Sequence, residues 1–347
     1  MRRVGLVSSI AVVAIATFLA GACGGSRSNV ALPVGATCAL DTARANVDSA
    51  SVVVTSPIDP SNAPRPTTWG ERFAFDLAYE TFFRVDCGGK TLGAAPYRIR
   101  DLGFFKLLLE PVGDVVGPRI ALRSATEAQA RDLIDAGVDL VLTDSPALAA
   151  YAATQPDAMS IPLGWDRTWV VVTPRQAALG LDSSAVFRSG LARDVVRANA
   201  RPAQGPYWWS DLTGCGMPPE ASASTSRGSA RVAYSRDEPV ARALAERLVA
   251  LAGGGTTAVG LAPDVFASAL KGRTELAYVM PLPRRSLDHC RAVSDLLAAA
   301  PWLSRMPDVH GVITPLIDTR LDAVYKRGRL NLAFTWDSTV TVLPRRP

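Results

Sequence analysis

The chain has 347 residues, 48% hydrophobic and 20% charged, with a formal net charge of +5, five cysteines and two histidines. Its basic residues are scattered, with no Lys/Arg run and no basic–aromatic ladder, which leaves a nucleic-acid-binding function without support. A chain of this length exceeds one ordinary hydrophobic core, so two domains are expected.

The first residues read as a targeting segment. Arg2 and Arg3 precede an apolar run from Val4 to Ala20, and Ala20-Gly21-Ala22-Cys23 follows. These four residues resemble a bacterial lipobox, with alanine three positions before the cysteine where leucine is usual. The resemblance implies a signal peptide over 1–22 and a lipidated Cys23 that becomes the N-terminus, anchoring the protein to the outer face of the cell membrane. A plain secretory signal cleaved after Ala22, giving a periplasmic protein, is the alternative. A transmembrane helix fits less well, because the run is only about 17 residues. Loss of Arg2 and Arg3 lowers the formal charge from +5 to +3. Residues 24–37 are rich in Gly, Ser and other small residues, so the anchor and a flexible tether are assigned to 23–44.

The folded body opens with Ser51–Thr55, a β-branched strand, followed by a proline-rich loop to Thr68. Trp69–Phe83 carries Trp69, Phe73 and Leu77 at helical spacing, and its length favours a helix over a strand. Phe82–Asp86 reads as a short strand ended by Cys87-Gly88-Gly89. Leu102–Val116, apolar with internal glycines, suits an edge hairpin.

The most informative stretch is 124–173. Ser124 and Glu127 have capping-box spacing before an apolar helical face (Ala130, Leu133, Ile134) that stops at Gly137. Val138–Leu142 is a buried parallel strand, Ser145-Pro146 starts a second helix, and strands follow near Met159–Pro162 and Thr168–Thr173. This β–α–β–α–β–β order with short connections predicts a mostly parallel sheet covered by helices.

The run GVDLVLTDSPALAAYA followed by PDAMSIPLGWDRTWVVVTP resembles the middle of an extracellular solute-binding protein of the ABC-transporter peptide/nickel class, in a shortened form. The earlier Tyr79-Glu80 pair, and the closing segment from Gly311 with its Pro315-Leu316-Ile317-Asp318 turn, resemble that family's opening and closing segments. The resemblance implies a periplasmic-binding-protein-like clamshell of type II, an α/β fold of two lobes with mixed, mostly parallel sheets and flanking helices.

Beyond Thr173 a helix is expected around Leu191–Val196. PYWWSD follows in a Pro/Gly-rich loop, and two adjacent tryptophans on a strand would leave one of Trp208 and Trp209 pointing outward or into a cleft. The strand–helix alternation then recurs: strand Arg231–Tyr234, a helix bearing Leu244 and Leu248, strand Thr256–Leu261, a helix after Pro263, and strand Glu275–Met280. Ser235 and Glu238 repeat the capping-box spacing. Ser286–Leu303 is a helix, and the strand-rich tail returns to the first lobe. Lobe 1 is therefore assigned to 45–175 plus 312–347 and lobe 2 to 176–311, with hinges near 172–185 and 305–315.

Four cysteines remain after Cys23: Cys38, Cys87, Cys215 and Cys290. In an exported chain they suggest disulfides, and three connectivities are possible. Pairing Cys38 with Cys87 and Cys215 with Cys290 keeps each bridge within one lobe. No C-x-x-C spacing, H-E-x-x-H, G-x-S-x-G, G-x-G-x-x-G or phosphate loop occurs, so neither catalysis, a metal site nor a cofactor is expected. Ligands of open α/β lobes lie beyond the carboxyl ends of the strands. The candidates are Thr55 and Asp59, Asp144 and Ser145, and Trp165 and Arg167, with Tyr79 and Trp209 added as aromatic contacts. Arg167 suits a carboxylate and Trp165 an apolar group, although Asp166 and Arg167 pairing with each other is an equally open reading. The expected function is a monomeric, non-enzymatic lipoprotein that binds a small, peptide-like or other solute between its lobes and delivers it to an ABC permease. The alternative is a structural or interaction lipoprotein that retains the clamshell fold.

Overall fold

The computed structural model describes residues 38–347 apart from 45–46, 63–67, 79–86, 88–96, 104–105, 114–115, 175–184, 196–198, 211, 216–229, 253–254, 285, 287–288, 307–308, 310–311, 336–338 and 344–347. Cys23, Tyr79, and the strand expected at 82–86 lie outside the described residues. In chain order the first half holds β1 (Ala39–Asp41), β2 (Ser49–Val54), α1 (Trp69–Ala78), β3 (Tyr97–Gly103), β4 (Lys106–Pro111), β5 (Arg119–Ser124), α2 (Glu127–Asp135), β6 (Leu140–Thr143), α3 (Pro146–Ala152) and β7 (Ala158–Val172). There follow α4 (Ala185–Val195), β8 (Ala200–Pro202), β9 (Arg231–Ser235), α5 (Pro239–Ala252), β10 (Thr257–Leu261), α6 (Pro263–Gly272), β11 (Ala277–Pro283), α7 (His289–Ala299), β12 (Ile313–Lys326), β13 (Leu332–Phe334) and β14 (Val340–Val342).

The large sheet runs β10-β9-β11-β7-β12-β6-β2-β5-β4-β3, with β8 added beside β12. β5, β2 and β6 are parallel, as are β10, β9 and β11. Among the described residues the two parallel groups meet only through β7 and β12, an antiparallel pair whose register spans both. Near their lobe 1 ends, β12 also pairs with β6, with Asp322 opposite Thr143. Near the other end, β11 joins β7, with Pro283 opposite Arg167. The chain thus passes between the two parallel groups inside two long strands, while residues 175–184, 307–308 and 310–311 of the expected hinges lie outside the described residues. Residues 163–166 are covered by neither β6 nor β11.

Although the hydrogen-bonded ladder is continuous, the cores are separate. Side chains alternate across each strand, so each half buries two faces. In the first half Val52, Val54, Leu140 and Leu142 pack with Trp69, Phe73 and Leu77 of α1, while Val53 and Val141 pack against Ala130, Ile134 and Leu148 of α2 and α3. In the second, Val170, Val172 and Tyr278 pack with Leu296 and Trp302, and Trp169, Val171 and Val279 with Leu244 and Leu248 of α5. Each fully buried side chain of this size contributes about 1.5–3 kcal/mol relative to exposure.

Local details differ from the sequence reading in instructive ways. The strands expected at 159–162 and 168–173 are one strand, β7, because β12 supplies a partner along its length. The first capping box uses Thr126 and Gln129, not Ser124 and Glu127. Ser124 is still the last residue of β5, and its hydroxyl donates to the Ser56 carbonyl at 2.8 Å. Ser235 likewise ends β9, and its carbonyl accepts from Glu238 N–H at 3.1 Å in a turn before α5. The apolar stretch at 102–116 contributes to the β3–β4 hairpin at the sheet edge. Cys38–Cys87 and Cys215–Cys290 are both bridged.

Candidate functional site

The strand directions converge on one band of the molecule. β6 ends at Thr143, opposite Asp322, which also faces Pro162 of β7. β11 runs against β7 and ends at Pro283, opposite Arg167. The carboxyl ends of both parallel groups therefore face each other across residues 162–167 of β7 and 319–322 of β12. Such ends expose loop N–H groups and helix starts, which is where polar ligands of α/β lobes are held.

On the lobe 1 side, Thr55 follows β2 and donates to Thr143 Oγ1 at 3.2 Å and Asp144 Oδ1 at 3.4 Å. Ser145 caps α3, its hydroxyl accepting from Leu148 N–H at 3.2 Å while Pro146 takes the first helical position. The cap is Ser145, which leaves the Asp144 carboxylate on the wall of a cavity between the halves. Asp166, Arg167, Val240, Thr319 and Arg320 also line that cavity, whose volume is about 10 Å³. That is room for roughly one water.

Arg167 and Asp166 are both largely buried and pair at 3.7 Å, and Asp166 also meets Arg72 of α1 at 3.2 Å. Glu238, in the turn before α5, has its carboxyl pushed above the ordinary range by burial, with Asp144 and Asp237 adding repulsion and Arg167 opposing both. Asp144, Arg167 and Glu238 thus form one electrostatic group drawn from lobe 1, the crossing strand and lobe 2. The Trp165 ring has the Arg201 guanidinium 4.4 Å and the Arg320 guanidinium 4.6 Å from its centroid, so protein cations already occupy the surface proposed for a ligand.

Two other candidates lie elsewhere. Asp59 is exposed, and its carboxylate accepts from the Ser61 hydroxyl (2.7 Å) and N–H (2.9 Å), bonds that lower its pKa and organise a local turn. Trp209 is 2% exposed and Trp208 8%, both inside the second-half core. Neither is exposed, because residues 208–210 form a 3₁₀ turn in which strand alternation does not apply, but Trp208 does face a cavity. Trp209 stacks on Tyr207 at 4.5 Å, and Trp208 Nε1 donates to the Pro283 carbonyl.

The sequence reading missed Asp318, Arg320, Arg201, Arg284 and Glu238. Asp318 is fully buried and accepts from Thr168 Oγ1 (2.7 Å), Arg201 Nε (3.0 Å) and Arg284 Nη1 (3.0 Å). The signal was present: Asp318-Thr319-Arg320 breaks the apolar run Pro315-Leu316-Ile317 within a buried strand. Among the described residues, no group of three or more His, Cys, Asp or Glu is arranged to hold a metal ion.

No protein-family model matches the chain, and no curated protein matches it. Among solved structures, a dipeptide-binding protein from Pseudoalteromonas sp. SM9913 in complex with Met-Leu is similar with a TM-score of 0.50 at 9% identity, covering 73% of this chain and 64% of that one. NikA from Staphylococcus aureus in complex with Ni(L-His)2 gives 0.47 at 14% identity, covering 70% and 66%. NikZ from Campylobacter jejuni in complex with Ni(L-His) gives 0.45 at 11%, covering 71% and 66%. The chain spans a little under two thirds of the length of these structures. At such identities the likeness is one of fold: a two-lobed α/β type II architecture, in a shortened form.

Proposed function

We propose that the chain is an extracytoplasmic, non-enzymatic solute-binding lipoprotein, anchored through Cys23, that closes its lobes on a small solute and passes it to an ABC permease. The observation that carries this reading is the convergence of Asp144, Arg167, Arg320 and Glu238 where the carboxyl ends of both parallel strand groups meet. Paired acidic and basic side chains at that point suit a small zwitterionic or polar solute, each ligand charge displacing one partner of an internal ion pair. Binding requires the halves to separate, since the present cavity holds roughly one water. The motion is a bend of β7 and β12 between their lobe 1 and lobe 2 pairings.

The test is mass spectrometry of small molecules co-purifying with the detergent-solubilised full chain, followed by thermal unfolding with a dipeptide set and with nickel–histidine. A co-purifying solute that raises the melting temperature, and an Arg167→Gln variant that loses the rise, support transport binding. A second reading, a clamshell kept as an interaction module, is favoured by the side chains that fill the crevice. It predicts no co-purifying solute and no shift with any probe, a result that overturns the first.

A further inference from the structure

A second cavity, of about 370 Å³, lies within the second half of the molecule, lined by Pro206, Tyr207, Trp208, Arg284, Ser286 and His289. This is within the range of small-molecule sites, whereas the interlobe crevice is not. Its six lining residues are all from lobe 2 and the loops beside it, so its occupancy does not depend on lobe closure. The Cys215–Cys290 bridge is attached beside it in sequence, Cys290 following the lining residue His289.

The charge count identifies what the cavity favours. Asp318, fully buried, pairs with the lining residue Arg284 and with Arg201, at 3.0 Å each. Among these three side chains one positive charge is left over in a partly desolvated place. Arg188 of α4 acts on Tyr207 with the same sign. The Tyr207 hydroxyl, its pKa pushed up to about 12 chiefly by burial, keeps its proton and remains a donor. Among the described residues, none of the six lining side chains is a carboxylate. Tyr207 and Trp208 supply an aromatic wall, with the Arg284 guanidinium 5.6 Å from the Tyr207 centroid.

We propose that this cavity is a binding site for a small aromatic carboxylate, its anionic group directed to Arg284 and its ring against the Tyr207–Trp208 wall. It is a site in addition to the interlobe one, and the proposal stands whether or not the lobes close on a solute.

The probe is phenylacetate, compared with phenethylamine of similar size and opposite charge, titrated into the purified full chain by calorimetry and by saturation-transfer NMR. Saturable binding of phenylacetate alone is expected, weakened about tenfold or more in Arg284→Gln, as loss of a charge-assisted contact implies. His289→Trp, at an exposed residue, fills the opening and should abolish binding without touching the core. If Arg284→Gln fails to fold, judged by circular dichroism, His289→Trp alone decides. Arg193→Gln, on an exposed helix face, should leave phenylacetate binding unchanged. Equal binding of the amine, binding indifferent to both cavity variants, or no phenylacetate binding overturns the proposal.

Discussion

Replacing Asp318 with asparagine probes the buried ion-pair group that includes the cavity residue Arg284. The carboxylate is fully buried and holds Arg201 and Arg284, whose side chains are 25% and 11% exposed. Breaking a buried ion pair by removing one partner costs about 3–5 kcal/mol, because the surviving charge loses its partner without regaining water. Here two cations lose one anion and then repel each other. Arg201 can rehydrate in part, so the lower end, about 3 kcal/mol, is expected. The Asn side chain still accepts from Thr168, so that neutral bond, about 1 kcal/mol, is not added to the loss. Against a total stability of about 5–15 kcal/mol this is a large fraction. Urea unfolding followed by circular dichroism should show the midpoint falling at unchanged slope. The double variant Asp318→Asn with Arg284→Gln should recover part of the loss, since the second change removes the stranded cation. A single-variant loss below about 1 kcal/mol at unchanged slope would refute the claim that Asp318 holds Arg201 and Arg284 as a buried ion-pair group.

Four other outcomes are expected. Reduction should destabilise strongly: on the chain-entropy account the Cys38–Cys87 and Cys215–Cys290 bridges, closing 49- and 75-residue separations, each contribute about 4 kcal/mol, measurable as a lowered urea midpoint in reductant. Gly70→Ala places a Cβ 2.6 Å from Ser56 Oγ and 2.9 Å from Val54 Cγ2, an overpacking that should cost about 1–3 kcal/mol and appear as a lower melting temperature. Glu238 titrates above its ordinary value of 4.5, so folding favours its protonated form; that contribution is complete below the unfolded value and is lost as pH rises through the folded one. Glu238→Gln should therefore flatten stability across that window and gain on the wild type at pH 7, as measured by urea midpoints at several pH values. Cys23→Ser should move the protein from the membrane to the soluble fraction on cell lysis; retention in the membrane would remove the lipid anchor from the proposal.

Much of the fold was legible because it rests on periodicity. Val52–Val54, Leu140–Leu142 and Ala277–Val279 are short apolar runs between turn residues, and α5 shows its buried stripe at Leu244 and Leu248 directly. The disulfide pairing was legible once two lobes were assumed. Capping boxes were misplaced because a Ser before a helix looks the same whether it ends a strand or starts the helix. The unity of β7 was hidden because its middle, Gly164-Trp165-Asp166-Arg167, breaks the apolar pattern, and the strand that pairs along its whole length, β12, lies far along the chain. The candidate site was read only in part. Asp144 and Arg167 follow from position relative to strand ends, but Asp318, Arg320 and Glu238 come together only through long-range pairing, which no local spacing encodes. Trp209 illustrates the converse: an aromatic in a polar loop suggested a contact surface, and a 3₁₀ turn folded it into the core.

The placement of β12 between β6 and β7 has a consequence for the order of assembly. A chain released N-terminus first has β2, β5, β6 and β7 in hand long before residue 313 appears, yet its first sheet lacks the strand that separates β6 from β7. Neither half can seal its hydrogen-bond ladder early, so the polypeptide stays incompletely folded until nearly its full length is free. Strand order alone thus postpones closure of the sheet between the two halves until β12 is available.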